Sequence, residues 1–318
     1  MWHHLRLALV ALAWCGAAQA QPLLAEPIRP LPLRPVADPA RAALGRALFH
    51  DLRLSRDNTQ SCASCHQLAN GGADVRALSA GAGGLLQLRN TPTVYNSTLN
   101  VRQSWIGRFS GIDGMLEHVM GPPVGAASPW DVVASRLTGD AAFGQHFNLV
   151  YGEEISAALV KDALANYLRL LVTPSRFDRY LRGDKGALSA DEKAGYARFK
   201  SYGCVSCHQG INVGGNMYQK FGTMREPQAG AAIAADQGRF ELTRREPDRH
   251  MFRVPGLRNV ARTAPYFHNG SVATLEEAVG AMFKYQLGRD APKQDQALIV
   301  LFLRALDGET LPPPGAQP

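Results

Sequence analysis

Cysteine is scarce in this chain. There are five in 318 residues, and one of them, Cys15, falls within the first twenty. The other four, Cys62, Cys65, Cys204 and Cys207, all sit in two Cys-x-x-Cys-His runs, so none is left for a separate disulfide framework. Two disulfides, or a zinc site built from paired Cys-x-x-Cys units, would use the same thiols, yet neither accounts for a histidine directly after both pairs. Long hydrophobic runs are also missing. The apolar stretch over residues 7–15 is too short to span a bilayer as a mature anchor. Basic blocks with interleaved aromatics do not occur, so no nucleic acid is expected as a partner of the +7 net charge. That modest excess reads as ordinary solubility, the alternative being attraction of an acidic partner.

The opening residues have the make-up of a secretory signal peptide over 1–20. His3, His4 and Arg6 give a basic start, an apolar run follows, and Ala18-Gln19-Ala20 is a small-residue cleavage site. Cys15 is a poor site for lipid attachment, because the bulky Trp14 precedes it. In an exported chain a Cys-x-x-Cys-His run is the attachment site of a c-type haem. The thiols bond the vinyl groups on one porphyrin edge, and the histidine that follows ligates the iron. The two runs therefore imply two covalently bound haem c groups. Cys62 and Cys65 attach one, with His66 on its iron; Cys204 and Cys207 attach the other, with His208 on its iron. What stands opposite each histidine decides the chemistry, since an open iron reacts and a filled one only transfers electrons.

Residues 21–38 are proline-rich and read as an extended, surface-hugging lead. Helical character from Pro39 to Phe49 delivers the chain to the first motif. Gly71-Gly72 and Gly81-Ala82-Gly83-Gly84 make the stretch beyond it loop-like, with no clearly alternating strand. Over 154–172, Ile155, Leu159, Leu164, Tyr167, Leu168 and Leu171 recur at helical spacing, and Pro174 closes the helix. Ser189-Ala190-Asp191-Glu192 and Thr274-Leu275-Glu276-Glu277 are capping boxes that predict helices through Phe199 and Met282. A last helix is predicted over 294–306. The fold class is mainly α, with two cytochrome c-like haem domains over 39–176 and 177–318; the last helix stays with the second or packs back on the first. The length suits two such domains. The sixth ligand of the second iron is to be sought among Met217, Met224, His250, Met251, His268 and Met282, and spacing alone does not choose.

Longer runs carry a resemblance. Phe252-Arg253-Val254-Pro255-Gly256-Leu257-Arg258-Asn259-Val260 and Thr263-Ala264-Pro265-Tyr266-Phe267-His268-Asn269-Gly270-Ser271 are the strongest. Leu44-Gly45-Arg46-Ala47-Leu48-Phe49, Arg89-Asn90-Thr91-Pro92-Thr93-Val94-Tyr95-Asn96 and Gly214-Gly215-Asn216-Met217 add to them. In combination the chain resembles the bacterial di-haem cytochrome c peroxidases and their MauG relatives from about Leu44 to Leu306. The resemblance implies a periplasmic enzyme that reduces hydrogen peroxide with electrons from a small cytochrome c or cupredoxin, in a two-haem unit open to forming a homodimer. It places the methionine ligand of the second iron at Met282, fourteen residues beyond His268, where MauG-type enzymes have tyrosine. It places the tryptophan between the haems at Trp105. It also implies a calcium ion between the domains, held at Asn90, Thr263 and Pro265; such oxygen ligands suit calcium.

Two departures qualify it. Many members close the first iron with a histidine in a Ser-x-Gly-His run; here the run is Ser79-Ala80-Gly81-Ala82, and no histidine occurs between His66 and His118. Alanine cannot ligate iron, so this haem is expected to be open without reductive activation. The family glutamate that moves the peroxide proton follows a Gly-Pro run, here Gly121-Pro122. Ser128-Pro129-Trp130-Asp131-Val132 puts Asp131 at its place, with Glu117 and His118 as further candidates. Asp131 could equally be a carboxylate at a helix N-terminus. The function expected is peroxidase, with MauG-like oxidation of a protein side chain, or plain electron carriage, as the alternatives.

Overall fold

A computed structural model describes residues 26–33, 35–84, 86–119, 128–227 and 236–309. The leader expected over 1–20, the first residues of the lead, the Gly121-Pro122 landmark and the side chain of Ala82 lie outside that description. The fold is mostly helical, with two minimal two-stranded antiparallel sheets among the described residues.

In the first half, helix α1 (Pro39–Phe49) starts where Asp38 accepts hydrogen bonds from the amides of Ala40 and Arg41. The short helix α2 (Cys62–Cys65) holds the first cysteine pair on one turn, with Ser61 and Ser64 closing its start. Helices α3 (Gly111–Val119), α4 (Trp130–Thr138), α5 (Ala141–Tyr151) and α6 (Ala157–Leu170) follow. The last begins later than the apolar period suggests, because Ser156 caps it by accepting from the Leu159 amide. Leu44, Leu48, Phe49, Val133, Leu137, Phe147, Val160 and Leu164 form one buried core, against which Cys62 packs.

Beyond helix α7 (Arg176–Leu181), the second half is built on α8 (Ala190–Ser201) and α11 (Lys293–Arg304), with α9 (Phe240–Thr243) and α10 (Leu275–Ala281) between them. Both predicted capping boxes form: Ser189 with Glu192, and Thr274 with Glu277. Helix α11 packs on α8 inside a second core that includes Phe177, Tyr196, Phe199, Val213, Phe283, Phe302 and Leu306, with Cys204 against it.

The lead departs from expectation. Ile28 and Leu31 are fully buried, Ile28 within the second core. Ile28 bridges to Gly210 just past the second motif, and the Leu31 amide donates to Asp178 at 2.7 Å. Proline spacing shows that a segment is extended; two isolated apolar residues do not reveal which surface it will enter.

Candidate functional site

The two cysteine pairs are packed against different cores and no disulfide joins them. That separation removes the paired-thiol zinc reading, which needs four sulfurs around one ion. Burial pushes the Cys62 thiol up to about 12 and the Cys204 thiol up to about 11. This is the reverse of the stabilised thiolate that a zinc ligand or a redox cysteine needs.

At the first motif, Nδ1 of His66 lies 3.3 Å from the Gly72 carbonyl. Burial lowers the pKa of His66, and the carbonyls of Gly72 and Pro92 offset it only in part. A neutral ring with Nδ1 turned to a carbonyl leaves Nε2 free to bind a metal. The loop beyond is stiffened by buried Asp74, which accepts from Arg76 and from the Ser79 hydroxyl at 2.7 Å.

At the second motif, Cys204, Cys207, His208 and Met282 line one largely apolar cavity with Phe199, Phe252, Leu275 and Phe283. His208 has its Nδ1 buried without a well-formed hydrogen bond, although the carbonyls of Val213 and Pro255 face the ring; burial pushes its pKa down to about 4. Of the six candidate sixth ligands, only His268 and Met282 belong to the cavity wall. The His268 ring is stacked on Phe252 at 4.0 Å. Met282 begins a π-helical turn (Met282–Gln286) that continues α10, a local widening often found at functional positions. Met224 is largely exposed, and Nδ1 of His250 pairs with the Asp236 carbonyl at 2.8 Å. Thiols, an imidazole and a thioether around an apolar void are the donor set that a c-type haem requires, so these residues fit that group.

Trp105 occupies the tip of the hairpin formed by β1 (Arg102–Gln103) and β2 (Phe109–Ser110). Its Nε1 donates to the Asn90 carbonyl at 2.8 Å, and its own carbonyl accepts from the Arg253 amide at 2.7 Å. It thus joins a loop of the first half to β4 (Met251–Arg253), which pairs with β3 (Tyr218–Lys220) in the second half. Its ring meets His268 edge-on at 6.3 Å. Gly107, in the same tip with φ of 68°, lies so close to the Tyr218 hydroxyl that any Cβ would strike it. Trp105 also lines a second, more polar cavity whose walls include Asn90, Thr263 and Pro265 together with Asn212, Arg253 and Arg258. The three residues expected around calcium therefore share one space. The Asn90 side-chain amide donates to the carbonyls of Arg76 and Ala77.

None of the candidate acids lines the cavity of the second motif. Glu117 is exposed and paired with Lys161, which holds its carboxyl below the usual range. His118 is exposed, bonded through Nδ1 to the Gly114 carbonyl at 2.8 Å and stacked on Phe109. Asp131 is exposed in the first turn of α4, where its charge meets the positive end of the helix, and among the described residues it makes no hydrogen bond or ion pair. The adjacent Trp130 is buried and donates to the Leu116 carbonyl at 2.8 Å. The sequence assigns no role to Arg253 or Tyr218. The available signal was an arginine set between the apolar Phe252 and Val254 at the end of β4.

Comparison with known proteins follows this geometry. The family model described as di-haem cytochrome c peroxidase matches residues 39–186. The cytochrome c peroxidase Ccp of Escherichia coli is 43% identical over 292 residues, which cover 90% of this chain and 62% of that protein. The chain thus spans somewhat less than two thirds of that relative. The cytochrome c551 peroxidase of Nitrosomonas europaea is 39% identical over 286 residues, 89% of this chain and 85% of that protein. Among solved structures, a MauG-like protein associated with microbial copper homeostasis superposes with a TM-score of 0.75 at 27% identity, covering 95% of this chain and 97% of that one.

Proposed function

The chain belongs to the di-haem cytochrome c peroxidase family, and from that premise we propose that it is a periplasmic peroxidase. It reduces hydrogen peroxide to water with electrons from a small cytochrome c or cupredoxin. The observation that carries the reading is the cavity shared by Cys204, Cys207, His208 and Met282 in a chain with a second, separate Cys-x-x-Cys-His site. Residues 39–176 form the peroxidatic domain and 177–318 the electron-transfer domain.

Bound haem supplies the one-electron chemistry by which peroxide, with two electrons and two protons, becomes two waters. The chain's residues do the rest. His66 would hold the first iron, and alanine at position 82 could not add the family's closing imidazole. His208 and Met282 would hold the second iron, and such a His/Met pair would suit a haem that accepts electrons from a donor. Trp105 fills the span between the two sites. A carboxylate would carry the proton that peroxide reduction requires. Asp131 suits this better than Glu117, since Lys161 already engages Glu117. Asn90, Thr263 and Pro265, which line one cavity, would offer oxygens to a calcium ion.

One spectrum and one assay test this. The as-isolated ferric protein is expected to show one high-spin and one low-spin haem, and to turn over peroxide with a reduced small cytochrome. Asp131→Asn is expected to lower kcat by about 100-fold or more, the usual worth of a general acid–base group. Two low-spin haems in both redox states would sink the reading. The likeness to a MauG-like structure favours one alternative, oxidation of a protein side chain; failure with peroxide and a cytochrome, but oxidation of a partner protein, would select it.

A further inference from the structure

Arg253 is 6% exposed and, among the described residues, has no carboxylate partner. Its Nε donates to the Ser104 carbonyl at 3.0 Å, and Nη1 is buried with no acceptor. The same side chain lines both the apolar cavity of the second motif and the polar cavity between the halves. Close by, the hydroxyl of Tyr218, across the β3–β4 pair, is likewise buried with no partner. The other charged and titratable groups on this face do not neutralise Arg253. Arg239 lies over the Tyr218 ring at 4.1 Å, His268 is stacked on Phe252, and the carboxylates of Asp236 and Glu241 are taken by Arg89. The buried Arg258 is instead paired with Asp178 at 2.8 Å.

A guanidinium in such a place is costly unless an anion meets it, and an orphaned buried donor costs more still. Burial accordingly presses the Arg253 pKa down, with Tyr218 offsetting it in part. The anion has to come from whatever fills the cavities that Arg253 lines. A porphyrin carries carboxylates of its own, its propionates, on the edge opposite the thioether-bonded vinyls.

We infer that Arg253, assisted by the Tyr218 hydroxyl, is the anchor for a propionate carboxylate of the haem held by Cys204, Cys207 and His208. The inference rests on the second motif binding haem, as proposed above, and is independent of whether the protein turns over peroxide. Arg253 is a positioning residue: it keeps that carboxylate ionised and places a positive charge beside the ring, which favours the reduced iron. It is also joined through its own amide to the Trp105 carbonyl, so a change at the propionate is felt at the hairpin tip between the two sites.

The test is redox titration of the low-spin haem in the holoprotein, with haem content measured by pyridine haemochrome. In Arg253→Gln, loaded with both haems, the equilibrium is expected to shift about tenfold toward the ferric form, a potential lower by roughly 59 mV for one electron. A new dependence on pH is expected with it, as the released carboxylate titrates. Arg253→Lys is expected to restore most of the shift. A fully loaded Arg253→Gln protein with the native potential and pH profile would overturn the inference. The native protein gives a second reading that does not depend on a variant folding. The resonance Raman propionate-bending band of the low-spin haem should not move between about pH 5 and about pH 8, the range where an unpaired, partly buried carboxyl titrates. A band that moves there would overturn the inference too.

Discussion

Asp307 shows how a single carboxylate can set a pH dependence away from the chemistry. Burial pushes its pKa up to about 6, and Arg262, Arg304 and Arg176 offset only part of that; one of its oxygens has no hydrogen-bond partner. The folded chain therefore holds this proton more tightly than the unfolded chain. The resulting stability is fully present below the unfolded pKa near 4 and is lost as pH rises through about 6. Asp307→Asn is expected to flatten that fall, recovering roughly 1–3 kcal/mol near neutral pH, as read by thermal unfolding at several pH values. An unchanged slope would show that another group sets it. The thiols and imidazoles of the two motifs were legible in the sequence because covalent chemistry requires them at adjacent positions. Arg253 was not, since a cation is informative only once its lack of a partner is known.

At the scale of elements, the two halves share a device that the motifs alone did not announce. In α1, Gly45 lies against the Ala163 carbonyl of α6; in α8, Gly195 lies against the Leu298 carbonyl of α11. In each case a Cβ would strike the backbone of the partner helix, so glycine permits the close approach. Each glycine stands four residues before a buried phenylalanine, Phe49 or Phe199, on the helix that leads to a haem motif. The halves thus resemble each other beyond Cys-x-x-Cys-His. Gly45→Ala and Gly195→Ala are each expected to cost about 1–3 kcal/mol or more, because close-packed helices must separate. Chemical denaturation should report it, Gly45→Ala acting on the first core and Gly195→Ala on the second. Helix starts were readable from capping residues, as at Ser189 and Thr274, because those bonds are local. Which helices pair was not readable, since pairing depends on chain distant in sequence.

For the whole molecule, the lead behaves as a strap. Ile28 and Leu31 are buried, and Asp178 gathers the Leu31 amide, the Ser175 amide and hydroxyl, and Arg258, while Arg258 reaches the Arg29 carbonyl. The start of the described chain thereby closes against the segment just past the second motif. Ile28→Ala is expected to destabilise the second core by about 2–5 kcal/mol, the usual range for an aliphatic side chain truncated to alanine in a core. Loss of the low-spin haem spectrum at lower denaturant than the high-spin one would report it; simultaneous loss of both would show one cooperative unit.

The sequence by itself determined the two Cys-x-x-Cys-His sites, the helical class and the local caps, because each depends on residues within a few positions of one another. Tertiary structure decided what stands around those sites. It brought Met282, more than seventy residues from His208, into the wall of the same cavity, and set Trp105 at a hairpin tip between the halves. It left Glu117 in a surface ion pair and Arg253 buried with nothing to neutralise it. Those outcomes turn on burial and on the presence or absence of a partner, and both arise only when distant segments meet.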